Sequence, residues 1–526
     1  MNHQVVPKAL VILEVSQKQA YIFGDKQLKE NVKRSKLIDW VTDPNFFIEI
    51  AAELFNTENN LVYAGGGHTI LQFDQKEDAL AFVRVVTRTA YLNYGIELFA
   101  KTMDYAVDLT PGENITELKK ALEAKKSLRL STFHQRGIGL EKETLRTFNL
   151  PTEDKREKKY PTKIERLCGA KDDGPKDNLY AVVHIDGNGM GAKVHAVTEK
   201  KVDNWEECRQ NHRAFSDNVT KRFQETMNEL VEKVEEWQKA GRFEKWLGYT
   251  KDSEQIPFRP VIQAGDDVTF LAPAFIALEC AAEFLQILDK KTGNETESTK
   301  RYAACAGIVM VHKKYPFDRA YNMAEALCGS AKRYAAELAE KAKRAGKSQA
   351  EMERIAAMDW HIEFGQGKST LSAIREDYFT VDSGDGETES SPIRRMNLRP
   401  LCVNGYVDTP FRTYDYFKCL LKLMEEAKYP RSKVKNLREV LKQTEDEVWN
   451  YMITNQIQSL SKLGFDAEDE NAVHRTFVNK GREKQLSVIL EERGEGGKTL
   501  YVCRSLYFDA IELMDRTILM EKGAEE

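Results

Sequence analysis

The residues best suited to chemistry in this chain are two neighbouring carboxylates, Asp266 and Asp267, set behind Gly265 within the stretch Pro257–Pro273. Apolar, β-prone runs (Pro260-Val261-Ile262 and Val268-Thr269-Phe270-Leu271) flank them, which predicts a β-hairpin with both acids at its tip. Gly265 suits the turn because it takes a positive φ with no Cβ to clash. Paired acids on a rigid tip are a seat for a divalent cation; Gly and Asp are also ordinary residues of a solvated turn. A third acid bears on the choice. Leu179–Ile185 reads as a buried strand ending in Asp186. In a β-α-β-β unit the first strand lies beside the strand leaving the hairpin, so Asp186 is expected close to Asp266 and Asp267. Three carboxylates brought together repel one another unless a cation sits between them. Mg²⁺ or Mn²⁺ is the natural occupant, with substrate phosphates completing its shell. Two such ions activate a 3′-hydroxyl and stabilise a leaving pyrophosphate.

The turn Asp186-Gly187-Asn188-Gly189-Met190-Gly191 follows the first strand directly. Alternate glycines let backbone N–H groups approach phosphate oxygens, so Gly187, Asn188, Gly189 and Gly265 are candidate nucleotide contacts. The pattern is not the dinucleotide fingerprint, which has no metal-binding acid at the strand end. Lys332 lies on the helix after the fourth strand and could reach a triphosphate as a point charge; a solvated lysine is the plainer reading. Ser216, on a long amphipathic helix, could hydrogen-bond a base or be an ordinary helix serine.

These residues need a scaffold, and the hydrophobic pattern supplies one twice. In residues 9–107 a buried strand (9–15) precedes a helix over about 26–54, broken near Asp43-Pro44. A hairpin follows at 61–73, then a helix over 75–93 and a strand over 96–107. The order is β-α-β-β-α-β, the ferredoxin-like arrangement, closed by a helix over 113–128. Residues 151–176 are charged and proline-punctuated, which predicts a linker. The same order returns: the strand ending in Asp186, a helix over 204–241, the acidic hairpin, a helix over 273–289, a strand over 302–312 and a helix over 317–344. A further strand is expected at 360–364. This is an internal duplication. The first copy has no acid pair: its hairpin reads Ala64-Gly65-Gly66-Gly67-His68, and its first strand carries Glu14 and Ser16. That copy is expected to be catalytically silent, with Gly66 a candidate nucleotide contact where the two copies meet. Beyond a polar break at 382–392, residues 412–463 and 504–521 are mostly helical in pattern, with a hairpin turn around 492–497. The expected class is α+β: units at 1–150 and 177–395, the linker between them, and a mainly helical domain at 396–526.

At 526 residues the chain exceeds a single core. It carries 31% charged residues, a mean hydropathy of −0.54, and no apolar run of transmembrane length. No signal peptide or membrane partner is expected. Eight scattered cysteines without a CxxC pair argue against zinc and disulfides and for a cytoplasmic protein. A net charge of −5 gives no global attraction to nucleic acid, so RNA would need a local basic face.

These residues resemble a known family, the large subunits of type III CRISPR complexes (the Csm and Cmr palm polymerase/cyclases). The first unit carries the likeness in 15–23, Leu28-Lys29 and 34–38. In the second it lies in 186–191, Ala264-Gly265-Asp266-Asp267, 307–312, Pro316-Phe317 and Ala331-Lys332. In the last domain it lies in Tyr429-Pro430-Arg431-Ser432, Leu437-Arg438 and 508–513. The resemblance implies two palm domains face to face around two nucleotides. It also implies synthesis of cyclic oligoadenylate second messengers from ATP, with Asp186, Asp266 and Asp267 as metal ligands, in antiviral defence. Other effector subunits with guide and target RNA are the implied partners. Adenine follows from the resemblance alone; GTP is the alternative, as are a stand-alone synthase and a non-catalytic RNA scaffold. This sequence departs from the family in three ways. It opens at the first palm without a His-Asp dipeptide, so no HD nuclease is expected. It has no cysteine zinc module. Asn188 and Ala264 stand where an acid and a glycine are common.

Overall fold

The computed structural model describes residues 6–16, 18–23, 28–127, 158–168, 178–198, 204–363, 370–381, 384–426, 429–457, 486–494 and 498–520. Gln17, Phe364, residues 458–463 of the last helical pattern and 495–497 of its hairpin turn lie outside them. The first unit is a sheet of β1 (Ala9–Val15), β2 (Leu61–Gly65), β3 (His68–Phe73) and β4 (Leu98–Asp104) in the order β2-β3-β1-β4. All its pairings are antiparallel. Its helices are α1 (Lys18–Ile22), α2 (Leu28–Val41), α3 (Lys76–Tyr94) and α4 (Pro111–Ser127). The break expected near Asp43 is a helix start: the Asp43 carboxylate accepts from Asn45 N–H and Pro44 opens the next helix, Pro44–Ala51.

The second unit repeats the plan with β5 (Leu179–Gly187), β6 (Arg259–Ala264), β7 (Asp267–Pro273) and β8 (Ala304–His312). Their order is β8-β5-β7-β6, the same topology as the first sheet. Helices α5 (Met190–Thr198), α6 (Trp205–Lys239), α7 (Ala277–Thr292) and α8 (Phe317–Arg344) accompany them. The expected extra strand is β9 (Ala356–Glu363), parallel to β8. A continuous run of buried residues along β5 and β8 is explained by α6 and α7 on one face and α8 with the first unit on the other. Gly307, in the middle of β8, lets α8 sit directly on the strand. A Cβ there would stand 2.0 Å from the Ala324 carbonyl oxygen and 2.2 Å from the Cys328 nitrogen.

The two units share a core. Phe23 stacks against Tyr321 and Phe317 of α8, with centroids 4.5 and 4.8 Å apart. The segment expected to be a linker is packed into this core where it is described. Leu167 and Cys168 are buried, and Ile256 N–H donates to the Lys159 carbonyl. Its apolar residues are too few to show periodicity, and long-range burial of just those few sets its place.

The division expected at 395/396 is crossed in both directions. After β10 (Thr380–Val381) comes β11 (Ile393–Arg395); then β12 (Leu401–Asn404) returns to pair with β9 in the second unit's sheet. β11 instead pairs with β14 (Thr499–Ser505), beside β13 (Ser487–Arg493), in a separate sheet ordered β10-β11-β14-β13. Around it lie α9 (Leu371–Phe379), α10 (Tyr414–Glu426), α11 (Arg431–Val440), α12 (Glu445–Thr454) and α13 (Phe508–Leu513). The fully buried Arg399 joins the regions: its guanidinium pairs with Asp509 and Glu512 of α13 and lies 4.9 Å over the Trp360 ring of β9. Glu512 also receives Arg438 from α11 at 2.7 Å. Charges buried this way fix one docking geometry, because any other leaves a desolvated charge unpaired.

Candidate functional site

The acidic hairpin forms as its sequence requires. β6 ends at Ala264, Gly265 takes φ +66°, and β7 begins at Asp267. Antiparallel register does the rest. Ile185 pairs with Val268, so the next residues outward, Asp186 and Asp267, come side by side at the sheet end. Gly187 follows, and a Cβ there would stand 2.8 Å from Asp266 Oδ2. The glycine therefore makes room for the neighbouring carboxylate.

Burial, with repulsion from Asp186 next, pushes the carboxyls of Asp266 and Asp267 up to about 7. The Asp267 side chain keeps 42% of its surface open while its Oδ1 is enclosed and receives no hydrogen bond. Nearest to that oxygen among the basic groups of its own sheet is His184 Nδ1, 3.5 Å away. His184 also sits 3.2 Å from Thr269 Oγ1, and burial lowers its pKa, which makes it a neutral neighbour. Lys332 donates to Asp186 Oδ2 at 2.5 Å and to the Gly187 carbonyl at 2.8 Å. Burial works against its ammonium, but the Asp186 carboxylate outweighs it and holds the pKa above the ordinary lysine value.

Among the described residues no group of three or more His, Cys, Asp or Glu side chains stands ready to hold a metal ion; Asp186 is turned onto Lys332. The donor set nevertheless fits one. It is all oxygen, and Mg²⁺ commonly takes only one or two protein carboxylates. An enclosed Asp267 oxygen without a partner is a ligand position left open.

The other expected contacts fall in different places. Around Gly189 (φ +65°) and Gly191 an added Cβ would meet nothing within 4 Å, so the backbone is approachable there. Asn188 faces the scaffold: its N–H donates to the Ala303 carbonyl and its Nδ2 to Ile355 O. Ser216 is buried on α6 against the first unit. Its Oγ lies 3.7 Å from where a Gly65 Cβ would be, and its hydroxyl hydrogen-bonds Tyr63. Gly66 lies at the seam between the units, its Cβ position 3.9 Å from the Ala264 carbonyl oxygen. The two hairpins thus abut.

Residues that sequence reasoning missed come mostly from the first unit. Lys18 of α1 donates to the Gly66 carbonyl, and burial lowers its pKa against the pull of Glu14 and then Asp267. His184 had a signal, since it shares a strand face with Asp186 two residues on. Lys18 and Asp39 had none, because their electrostatic influence on Asp267 crosses between units.

Residues 179–341 match the family described as Cas10/Cmr2, second palm domain. A comparison with curated protein sequences gives no match. Among solved structures, a Csm1–Csm4 cassette in complex with cA3 aligns with 88% of this chain and 66% of its own, at 14% identity and a TM-score of 0.50. The same cassette with one ATP aligns over the same shares at 15% identity and 0.48. The cassette in complex with AMPPNP aligns with 62% of this chain and 53% of its own, at 14% identity and 0.43. The chain therefore spans between 53% and 66% of these matched chains. At such identity the complex with cA3, at a TM-score of 0.50, shows a shared fold. Within the second βαββαβ unit, residues 179–341 are thus similar to a Cas10/Cmr2 second palm domain.

Proposed function

We propose that this protein is a metal-dependent nucleotidyltransferase that joins ATP into cyclic oligoadenylates, acting as the large subunit of a type III CRISPR complex with guide and target RNA. The observation that carries the reading is the meeting of Asp186, Asp266 and Asp267 at one sheet end, with an enclosed, unpartnered Asp267 oxygen among them. A scaffold has no need of such a cluster, because unmatched buried acids only destabilise it. Asp267 and Asp266, with Asp186, would hold Mg²⁺ or Mn²⁺, which when bound neutralises phosphate charge and makes a 3′-hydroxyl a better nucleophile.

The chain's own groups do the rest. The open backbone at Gly189 and Gly191 lets a polyphosphate approach the start of α5. Lys332, released from Asp186 once those acids are neutralised otherwise, becomes a point charge for the triphosphate. Docking of the first palm over the hairpin keeps water from one side of the cleft. The Csm1–Csm4 cassette of the same fold has been solved with cA3, which supports the adenine assignment and association with other complex subunits.

The test is incubation with labelled ATP and Mg²⁺ or Mn²⁺, with and without target RNA. Pyrophosphate and cyclic products are expected, and their loss in Asp266→Ala/Asp267→Ala. Undiminished activity in that double variant rejects the site, and no product under any RNA condition favours a non-catalytic scaffold.

A further inference from the structure

The duplicated frame allows a residue-by-residue contrast beneath the two hairpin tips. In the second sheet, register pairs His184 with Thr269 on one side and with Gly307 on the other. All three therefore share a face with Asp186 and Asp267, each two residues further along its strand. In the first sheet the same register sets Ile12 against Ile70, two residues below Glu14 and His68. His184, Thr269, Ile12 and Ile70 are all buried. The unit with the acids thus carries a polar pair at the depth where the bare unit carries two isoleucines. Desolvating an imidazole and a hydroxyl costs free energy that two isoleucines do not, so packing gives no reason for the exchange.

The polar pair gathers three oxygens around one nitrogen. His184 Nδ1 lies 3.2 Å from Thr269 Oγ1, 3.5 Å from Tyr321 Oη and 3.5 Å from Asp267 Oδ1. Tyr321 comes from α8, which the bare Gly307 admits onto β8, and its ring meets the imidazole in a T-shaped contact with centroids 5.4 Å apart. Phe23 of the first unit packs on Tyr321 in turn. Hydroxyls donate or accept, whereas an ionised carboxylate only accepts. With Asp267 ionised, the tautomer that carries its proton on Nδ1 satisfies the group. Asp267 Oδ1 is enclosed and receives no hydrogen bond, and at 3.5 Å Nδ1 stops just short of one. The Asp267 side chain, 42% open, is free to close that gap, while the ring is held by Thr269 and Tyr321.

We propose that His184 is a positioning residue for Asp267: its Nδ1–H, set by Thr269 and Tyr321, donates to Asp267 Oδ1 and fixes the direction in which that carboxylate presents its remaining lone pairs to a divalent cation. The role rests on the nucleotidyltransferase reading and deepens it. A carboxylate that swings freely offers a cation different oxygens in each rotamer. One tied at Oδ1 offers its other lone pairs in a single direction, so less order has to be imposed when the cation arrives. Outer-shell donors of this kind are worth about ten- to a hundredfold in metal affinity or activity. His184 itself touches neither cation nor nucleotide; it acts through Asp267. The first unit, silent in chemistry, backs the arrangement through Phe23 on Tyr321.

The test is direct binding of Mn²⁺ to the full chain, without nucleotide or turnover, beside a melting curve for each variant. His184→Leu fills the space without a donor and is expected to weaken Mn²⁺ about tenfold. His184→Asn sets an amide N–H where the imidazole Nδ1–H stood and is expected to stay within about threefold of the parent. A purely structural role gives the opposite order, since Asn is the more polar and the less β-prone of the two and should lower both melting temperature and affinity more than Leu. The positioning role is overturned if His184→Leu shifts Mn²⁺ affinity by less than about twofold, or if His184→Asn loses as much as His184→Leu. The cation reading of the site is judged separately by Asp267→Asn. If the parent binds no Mn²⁺, or binds it as well with Asp267→Asn, the positioning role and the nucleotidyltransferase reading fall together. If Asp267→Asn abolishes binding and His184→Leu does not weaken it, the positioning role falls alone.

Discussion

The two palms share one topology and nearly one register, yet they have opposite chemistry at equivalent points. In the first, Glu14 pairs in register with His68; in the second, Asp186 is set beside Asp267 by the same antiparallel offset. Each first-strand acid is held by a lysine at the same offset into the helix after the fourth strand: Lys126 on Glu14 at 2.7 Å, Lys332 on Asp186 at 2.5 Å. The duplicated frame therefore preserved an acid–lysine pair in both copies. It diverged at the hairpin tip, where Gly67 and His68 replace Asp266 and Asp267. His68 is no substitute ligand, since burial lowers its pKa to about 3, and its ring stacks on Tyr63 at 4.8 Å. Beside it His212 reaches over from α6, also lowered, to about 4. One tip collects desolvated acids and the other desolvated neutral rings. Under the proposed function a divalent cation would sit at the acidic tip.

The comparison breaks most readily at the tips. Removing both acids as Asp266→Ala/Asp267→Ala is expected to lower product formation by at least about a thousandfold. The positional counterpart, Glu14→Ala/His68→Ala, is expected to leave it within about threefold if folding is kept, as checked by pyrophosphate release beside a melting curve. Comparable losses in both would mean that the first palm also does chemistry. The lysines sharpen the contrast at smaller scale. Lys332→Met is expected to cost about ten- to a hundredfold in turnover with the nucleotide. Lys126→Met, the same substitution on the lysine that holds Glu14, should show little change in the same steady-state assay.

The smallest effect is in pH, and the two tips should move stability in opposite senses. Asp266 and Asp267 have folded pKa values of about 7 against an ordinary 3.8. Their protonated forms favour the fold below about 3.8, and that contribution is lost as pH rises through about 7. Mn²⁺ displaces those protons, so its stabilisation of the fold should be larger at pH 8 than at pH 6. His68 and His212 lie below the ordinary 6.5, so their contribution is present above that value and is lost as pH falls toward about 4 and 3. Denaturant melts with and without Mn²⁺ measure both. In His68→Phe the acid-side loss should shrink while the Mn²⁺ effect stays.

Much of this was legible in the residues alone. The strand and helix patterns placed both βαββαβ units, because β5 and β8 bury continuous apolar runs, the start of β4 alternates, and the long helices bury an apolar stripe. The tip acids and Asp186 were legible because topology makes a strand end and a hairpin tip neighbours whatever the loops between them do. The packing of segment 158–168 through Leu167 and Cys168 and the interleaved β11 and β12 were not, since their partners lie far along the chain and their own few residues carry no period. The same holds for Arg399. A lone arginine in sequence reads as surface, and only the docking of α13 supplies Asp509 and Glu512 to bury it.

By itself the sequence determined that one copy carries acids and the other glycines, since residue type at a turn is a local fact. Only the tertiary structure decided where the bare turn sits. Gly66-Gly67 is, as sequence, an ordinary flexible turn. Packed against Ala264, it lies at the seam with the acidic hairpin, and the Lys18 ammonium donates to its Gly66 carbonyl. The physical reason is that charge acts through distance in space, and the few ångströms across the seam join residues that the chain separates by the length of a palm.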